Sequence, residues 1–510
     1  MFSQSDLDQI TAHGISPQSA HRQRRFVCEE KSTLEIVKPA LKNDGLFVFD
    51  QAEVERLLDD FQENILGQKI VKFVPASGAA TRMFKDLFET WNKLNEDPNS
   101  PISDSVQMFF EHLRAFAFYD ALQQSMKNQG VSLEKAMEEH HYAIILEYLL
   151  TEKGLNYAGL PKGLLLFHQY GEVKRTALEE HLIEAATYAC DEDKTARLHF
   201  TVSEEHRDLF KNHCENLVPN CEKQFGIRYN ITFSTQHSST DTIAFANDNT
   251  PFRDKNGNLL FRPGGHGSLI DNLNKVDADI VLIKNIDNVS LDMYKEDTFV
   301  YKKTLIALLR QLQKQIFNYL NMFDEKKNNE NTLVAVEHFL QKNFFVGLPK
   351  SYQEFSAEKK QDFLYRILDR PVRICGMVKR ENEPGGGPFW VKDRDNNLSL
   401  QIVETSEINL SDRRQKEILD KSQFFNPVIL VCSLKNHRGE KFNLNACIDH
   451  SRYFVSEKSH EGKILKAIEN PGLWNGAMSD WLTVFCAIPL STFTPVKTVN
   501  DLLRKEHLHH

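Results

Sequence analysis

Residues 71–85 read Val-Lys-Phe-Val-Pro-Ala-Ser-Gly-Ala-Ala-Thr-Arg-Met-Phe-Lys, an apolar strand that enters a turn of small residues and then a basic helix start. Such an element can hold a phosphate. The small side chains of Ser77, Gly78, Ala79, Ala80 and Thr81 let backbone N–H groups approach an anion at a helix N-terminus, where the macrodipole is positive, and Arg82 and Lys85 add full charges nearby. Strand-turn-helix junctions with small residues also arise for packing alone.

Three later runs carry further chemistry. Pro161-Lys162-Gly163-Leu164-Leu165-Leu166-Phe167-His168 fixes a lysine beside a proline at a strand entrance, where it can meet a phosphoryl oxygen as a point charge. Phe261-Arg262-Pro263-Gly264-Gly265-His266-Gly267-Ser268-Leu269 sets three glycines around one histidine, so that backbone can approach a flat ligand closely. Ala278-Asp279-Ile280-Val281-Leu282-Ile283-Lys284-Asn285-Ile286-Asp287-Asn288 is a buried strand ending in Asp-Asn. Ligands of open α/β sheets sit beyond the carboxyl ends of strands, which makes Asp287 the place for a Mg²⁺ carboxylate, or else an Asx turn that ends the strand.

The chain that must position these groups has 510 residues, enough for about three domain-sized units or for one elaborated α/β domain with additions. A net charge of −9 with Lys and Arg dispersed along the chain argues against a nucleic-acid surface. The eight cysteines show no metal-ligand spacing and suit buried thiols in a reducing compartment. The start lacks the basic and apolar regions of a leader, and no apolar run approaches spanning length, so a cytoplasmic location without membrane contact is expected. His507, His509 and His510 read as a frayed tail.

Apolar spacing at Leu34, Val37 and Leu41, and again at Val54, Leu57, Leu58 and Phe61, predicts helices in the first sixty residues, with Pro39 interrupting the first. Residues 86–150 again read as helical, with an aromatic stripe through Phe109, Phe110 and Phe116 that suits core packing. Strand-like runs at 164–167, 198–202, 229–233 and 280–283 then alternate with amphipathic segments, which implies a mostly parallel sheet with helices on both faces. A charged, Asn-rich linker at 324–331 precedes further helix and β-rich runs near 372–378 and 400–404. The Gly385-Gly386-Gly387 run reads as a hairpin connection, because prolines flank it and no basic helix start follows. The expected division is a helical region at 1–68, an α/β domain at 69–435 with a helical insertion at about 86–155, and a C-terminal α+β addition at 436–510.

The small-residue turn, Pro-Lys, glycine-rich loop and Asp-Asn occur in the order seen in UDP-sugar pyrophosphorylase-like nucleotidyltransferases of the nucleotide-diphospho-sugar transferase superfamily, which this chain resembles from roughly Lys72 onward. Phe225-Gly226 leading to Phe233-Ser234-Thr235-Gln236, the run Gln401-Ile402-Val403-Glu404-Thr405-Ser406-Glu407-Ile408, and Phe493-Thr494-Pro495-Val496-Lys497 look like the same family. The sequence also resembles an uncharacterised bacterial family that carries a domain-of-unknown-function label. The resemblance implies a GT-A/Rossmann-like fold. It further implies that Ser77, Gly78, Ala79, Ala80, Thr81 and Lys85 line nucleotide phosphates, and that Arg82, Lys162 and Lys497 act on the reacting phosphates. By the same resemblance Gln236, Gly265, His266 and Gly267 face the base, Glu404 and Asn426 the sugar, and Asp287 holds Mg²⁺. Two glycines of the family's Gly-Gly-x-Gly-Thr-Arg turn are replaced here, and Ala80 puts a methyl where a phosphate should pass.

The implied reaction joins a sugar 1-phosphate to the α-phosphorus of a nucleoside triphosphate, with UTP as the expected donor. A phosphate monoester with a second pKa near ~6 is already largely dianionic at neutral pH, so alignment and charge neutralisation set the barrier rather than a general base. A non-catalytic nucleotide-binding or regulatory protein is the rival reading. A glycosyltransferase would need a metal-binding Asp-x-Asp after a strand, whereas Asp277-Ala278-Asp279 precedes one.

Overall fold

The computed structural model describes every residue except 1, 30–32, 65–66, 79, 328, 382–384, 393–397, 461 and 510. The fold is α/β, with a mostly parallel central sheet and helices, as the alternation of strand-like and amphipathic runs requires. The chain forms two units interleaved in sequence. The first comprises Met1–Lys69, Gln236–Ile283 and Lys303–Ile488, and the second Ile70–Thr235, Lys284–Lys302 and Pro489–His510.

In the first unit, strands run in the order Leu41–Lys42, Gly45–Val48, Leu482–Ala487, Val372–Lys379, Phe424–Ser433, Ile280–Lys284. Val372–Lys379 pairs in parallel with Leu482–Ala487 and antiparallel with Phe424–Ser433. The latter ladder shifts register between Gly376 and Val378, where the facing strand holds Val428 at φ +60°. A β-branched residue is strained in that region, and the Asn426 side chain supports it by accepting the Val428 N–H at 3.1 Å. A second sheet joins Ile36–Pro39, Gly387–Lys392 and Leu398–Val403.

Two sequence expectations change here. Residues 34–48, expected as helix, form three short strands, because Ile36 and Pro39 pair across to Val391 and Phe389. Pro39 lies on an edge strand, where its missing N–H is tolerated. The Gly385-Gly387 run leads into Gly387–Lys392, which belongs to a different sheet from the preceding strand Val372–Lys379, so it is no hairpin; residues 382–384 of that loop lie outside the described set.

The second unit is built on three parallel strands, Ile70–Pro75, Thr195–Val202 and Arg228–Thr235. Helix Ala177–Tyr188 is buried along most of its length. The helical insertion is present as Lys85–Glu96, Asp104–Glu111, Tyr119–Asn128, Leu133–Glu138 and Tyr142–Leu150. Its aromatic stripe is core, with Phe109, Phe116 and Phe118 fully buried and in ring contact. All eight cysteines are free thiols. Among the described residues no helix is long and apolar enough to cross a membrane. His507, read as part of a frayed tail, is instead 3% exposed, its Nδ1 bonded at 2.9 Å to His168 Nε2, whose other ring nitrogen meets Glu180.

Beneath these strands lies a buried charge cluster that no sequence period announces. Glu184 accepts Lys72 Nζ at 2.8 Å, Lys284 Nζ at 2.7 Å and the Tyr188 hydroxyl at 2.7 Å. Lys302, 1% exposed, faces the same group with no hydrogen bond to its Nζ. Two cations hold Glu184 well below the ordinary carboxylate range despite its burial. Burial pulls Lys72 down to about 7 against the attraction of Glu184, and depresses Lys302 well below an ordinary lysine.

Since an unfolded lysine holds its proton to near pH ~10.4, folding releases protons from these lysines above neutrality. These lysines therefore contribute stability that grows from pH 7 toward 10, by about 1.4 kcal/mol per pH unit for each proton released. Lys302→Met removes one such proton, so urea denaturation should show the variant more stable than the parent at pH 7, with a less positive slope against pH than the parent, so that the difference shrinks as pH rises. An unchanged slope would place the Lys302 ammonium in the folded state.

Candidate functional site

Strand Ile70–Pro75 is buried and ends where the Ala76 N–H donates to the Thr201 carbonyl at 2.8 Å. Ser77 and Gly78 follow on the surface, and a Cβ at Gly78 would meet open space; Ala79 lies outside the described residues. Ala80 opens a short 3₁₀ turn, Ala80–Arg82, and the α-helix itself begins only at Lys85. The Ala80 methyl is fully buried, and its N–H donates to the Leu160 carbonyl at 3.1 Å. The methyl is therefore packed into the core and presents no surface at the turn. Thr81, Arg82 and Lys85 are exposed, with Lys85 3.7 Å from Glu89 one turn on.

Lys162 opens a 3₁₀ turn after Pro161, and its Nζ donates to Asp287 Oδ2 at 2.7 Å and to the Val496 carbonyl at 2.7 Å. Gly163 makes that turn possible, since a Cβ there would come within 2.8 Å of the Phe210 ring. Asp287 stands in a turn three residues beyond Lys284, backed by His181 Nε2, which donates to the Ile286 carbonyl at 3.1 Å. Burial keeps that imidazole neutral. The Asp287 carbonyl accepts the Val496 N–H at 3.0 Å, and the Val499 N–H donates to the Met83 carbonyl at 3.1 Å. Arg82, Lys162, Asp287 and Lys497, dispersed over most of the sequence, thus stand on segments bonded to one another. Lys497 itself is exposed, 5.8 Å from the Phe493 ring centroid.

Asn288 does different work from its neighbour. It is 1% exposed, its Oδ1 accepts the Thr494 N–H at 2.9 Å and its Nδ2 donates to the Thr492 carbonyl at 3.4 Å. The Asp-Asn pair divides into one residue for the lysine and one that clamps the C-terminal segment.

The first unit holds the remaining candidates. The glycines around His266 admit the chain's own backbone: a Cβ at Gly267 would lie 2.1 Å from the Pro471 carbonyl oxygen, and one at Gly264 2.4 Å from that of Thr240. Gly265 takes φ +77°, open to glycine at no steric cost. The Leu473 N–H donates to His266 Nδ1 at 3.1 Å, which leaves the ring proton on Nε2, 3.9 Å from Glu404 Oε1. Burial brings this imidazole down to about 4, so it is neutral at pH 7, and it stacks on Trp474 with centroids 4.4 Å apart. Burial and the neighbouring Glu407 raise the Glu404 carboxyl. Glu407 is itself paired with Arg452 at 2.8 Å and accepts from Asn475 at 3.2 Å. Gln236 donates to Asp241 at 3.3 Å, and Asn426 is buried on its strand bulge. Asp277 and Asp279, the residues of the Asp-x-Asp considered for a glycosyltransferase, are bonded to Lys69 and Lys435 at the start of their strand.

Sequence reasoning missed Trp474 and Asn475. The Asn-Pro-Gly-Leu-Trp-Asn-Gly run at 470–476, rich in turn formers around a tryptophan, was the available signal. Among the described residues no cluster of three or more His, Cys, Asp or Glu could hold a metal ion. A single carboxylate at Asp287 suits a Mg²⁺ that keeps several waters and takes phosphate oxygens as its other ligands.

A family profile described as "Domain of unknown function (DUF4301)" matches residues 3–508. No curated protein matches the sequence. Among solved structures the chain is similar to the uridine diphosphate N-acetylglucosamine pyrophosphorylase from Trypanosoma brucei, at 12% identity and a TM-score of 0.48, over 97% of this chain and 76% of that one. It is also similar to UDP-glucose pyrophosphorylase variants from Leishmania major. One matches at 13% identity and TM-score 0.44 over 98% and 78% of the two chains, and another, in complex with UDP-glucose, at 12% and 0.43 over 98% and 78%.

The clamp at Asn288 generates a test. Asn288→Ala leaves a buried N–H and carbonyl of the 492–494 segment without partners, at a cost of about 2–3 kcal/mol. Hydrogen exchange should quicken most at residues 490–499. Uniform exchange across the chain would remove the clamp.

Proposed function

We propose, for a chain that belongs to the family described as domain of unknown function DUF4301, a nucleotidyltransferase reaction in which a uridylyl group passes from UTP to a sugar 1-phosphate. The observation that carries this reading is the Lys162 ammonium, held 2.7 Å from both Asp287 and the Val496 carbonyl on segments bonded to those of Arg82 and Lys497. Three cations and one carboxylate on adjoining segments match the needs of an in-line displacement between anions, where alignment and charge neutralisation supply most of the rate.

Arg82 and Lys497, both exposed, would draw the leaving pyrophosphate, and the turn of Ser77, Gly78, Ala79, Ala80, Thr81 and Lys85 would line the nucleotide phosphates, with N–H groups other than that of Ala80 orienting them. Lys162 would exchange its Val496 contact for a phosphoryl oxygen while Asp287 keeps its ammonium in place. When bound, a Mg²⁺ arriving with the triphosphate and held by Asp287 would neutralise phosphoryl charge. Gln236, Gly265, His266 and Gly267 would face the base, with the neutral His266 offering its Nε2–H as a donor, and Glu404 and Asn426 would face the sugar. A second reading, nucleotide binding without turnover, is favoured by one observation: the Ala80 N–H already serves Leu160 and is withdrawn from the phosphate turn.

The experiment is a thermal-shift panel of UTP, ATP, GTP and UDP-sugars with Mg²⁺, followed by pyrophosphate release with candidate sugar 1-phosphates. Binding to the native state alone raises the melting temperature by mass action, so a protein without turnover still reports its nucleotide. Uridine-selective stabilisation with release is the expected result, and Lys162→Ala and Asp287→Ala should each lower release on the order of 10²-fold or more. Stabilisation without release supports the second reading. No shift with any nucleotide, or parental rates in both variants, would sink the site assignment.

A further inference from the structure

Two histidines tie down the last turn of the chain. His507 is 3% exposed and His168 fully buried, with His507 Nδ1 2.9 Å from His168 Nε2 and the ring centroids 5.2 Å apart. His168 Nδ1 meets Glu180 Oε1 at 2.9 Å. Glu180 also accepts from Lys295 and from the Tyr170 hydroxyl at 3.0 Å, and lies 3.7 Å from Arg175. Asp292 in turn pairs with Lys295 at 2.6 Å and with Arg175 at 2.7 Å. Against the upward push of burial, His168 and Lys295 hold the Glu180 carboxyl below its ordinary range, so it remains an acceptor for His168 in mild acid.

A hydrogen bond between two ring nitrogens holds one proton. With Glu180 taking the His168 Nδ1–H, the neutral pair is joined by His507 Nδ1–H donating to His168 Nε2, and His507 Nε2 has no hydrogen-bond partner among the described residues. Protonating His507 alone places a buried N–H at that Nε2 without a bonded acceptor, and protonating both rings sets two N–H groups head-on. Burial, His168 and Arg504 accordingly push the His507 imidazole well below its ordinary value, against a smaller pull from the Thr494 carbonyl.

Release of this pair has both room and consequence. His507 lines a cavity of about 490 Å³ together with Arg114, Gln169 and His509, which gives the ring space to leave. The His507 N–H donates to the Arg504 carbonyl at 2.9 Å, and the Arg504 guanidinium pairs with Asp501 at 2.7 Å. Asp501 accepts the Lys497 N–H at 2.8 Å and the Thr498 N–H at 2.7 Å. A short chain of bonds thus runs from the histidine pair to the backbone of Lys497.

We propose that the His168–His507 pair is an acid-released latch, which secures the C-terminal segment at neutral pH and frees it when His507 takes up a proton. The inference does not depend on the nucleotidyltransferase reading, since it is read on the protein without substrate. A released His507 titrates near ~6.5, whereas the latched ring resists that proton, so the latch is fully closed above ~6.5 and weakens below it by up to about tenfold per pH unit.

Amide exchange of the full chain at pH 7.5 and pH 5.0, corrected for the intrinsic effect of pH, reads the latch. Protection at residues 499–508 should fall about thirty-fold more than in strand Thr195–Val202. His507→Asn offers a side-chain N–H where Nδ1–H stood and does not titrate, so it should keep its protection at both pH values. No selective loss in the parent, or an equal loss in His507→Asn, would overturn the proposal. Where the variant exposes the segment at both pH values, titration of the His507 ring in the parent, followed by NMR, decides. A midpoint well below ~6.5 supports the latch, and one at or above it overturns the proposal.

Discussion

One buried carboxylate fixes the ground on which the second unit's candidate residues stand. Glu184, on helix Ala177–Tyr188, bonds Lys72, five residues before the small-residue turn, and Lys284, three residues before Asp287. Taking charges out of water is costly, and the cost is offset only when geometry is good and the remaining polar atoms are satisfied. Here two ammonium groups and the Tyr188 hydroxyl converge on the carboxylate, and Lys72 reaches the His181 carbonyl as well. Such a cluster tolerates little displacement, because moving either strand end would leave an unpaired charge in the core. Lys302 adds a third amine with no partner, so the cluster balances only if that amine gives up its proton.

From this base the candidate residues emerge in short turns that bond to each other. Ala80 holds Leu160, Met83 holds Val499, and Asp287 holds both Lys162 and Val496. A cation at Lys162 is thereby kept at one place instead of ranging over its rotamers, which is the preorganisation the proposed reaction would need. The first unit achieves a comparable rigidity by packing. Glycines 264 and 267 sit against the carbonyls of Thr240 and Pro471, and the resulting loop stacks His266 on Trp474.

Much of this was legible in the sequence, and the reasons differ by residue. The strand at 280–284 declares itself through a continuous apolar run, because burial of both faces leaves few other compositions, and that at 228–235 through alternation of its β-branched and aromatic residues with polar ones. Residues 34–48 misled, since their strands exist only by pairing with partners hundreds of residues away, and local spacing carries no record of that pairing. His507 misled for the same reason: a terminal histidine looks like a frayed tail until His168 and Glu180 meet it. Ala80 looked obstructive because a turn's sequence does not say which way a methyl faces.

The sequence by itself determined the α/β class, the helical insertion with its aromatic core, and the run of residue types able to handle phosphate, because periodicity, composition and turn chemistry are local properties. Only the tertiary structure decided that Lys162 reaches Asp287 and Val496, that Asn288 clamps the C-terminal segment, and that one glutamate pairs two lysines. Each of these is a contact between residues far apart in the chain. Such contacts depend on where strands and helices come to rest, and on how burial sets the cost of every polar group, which no segment carries on its own.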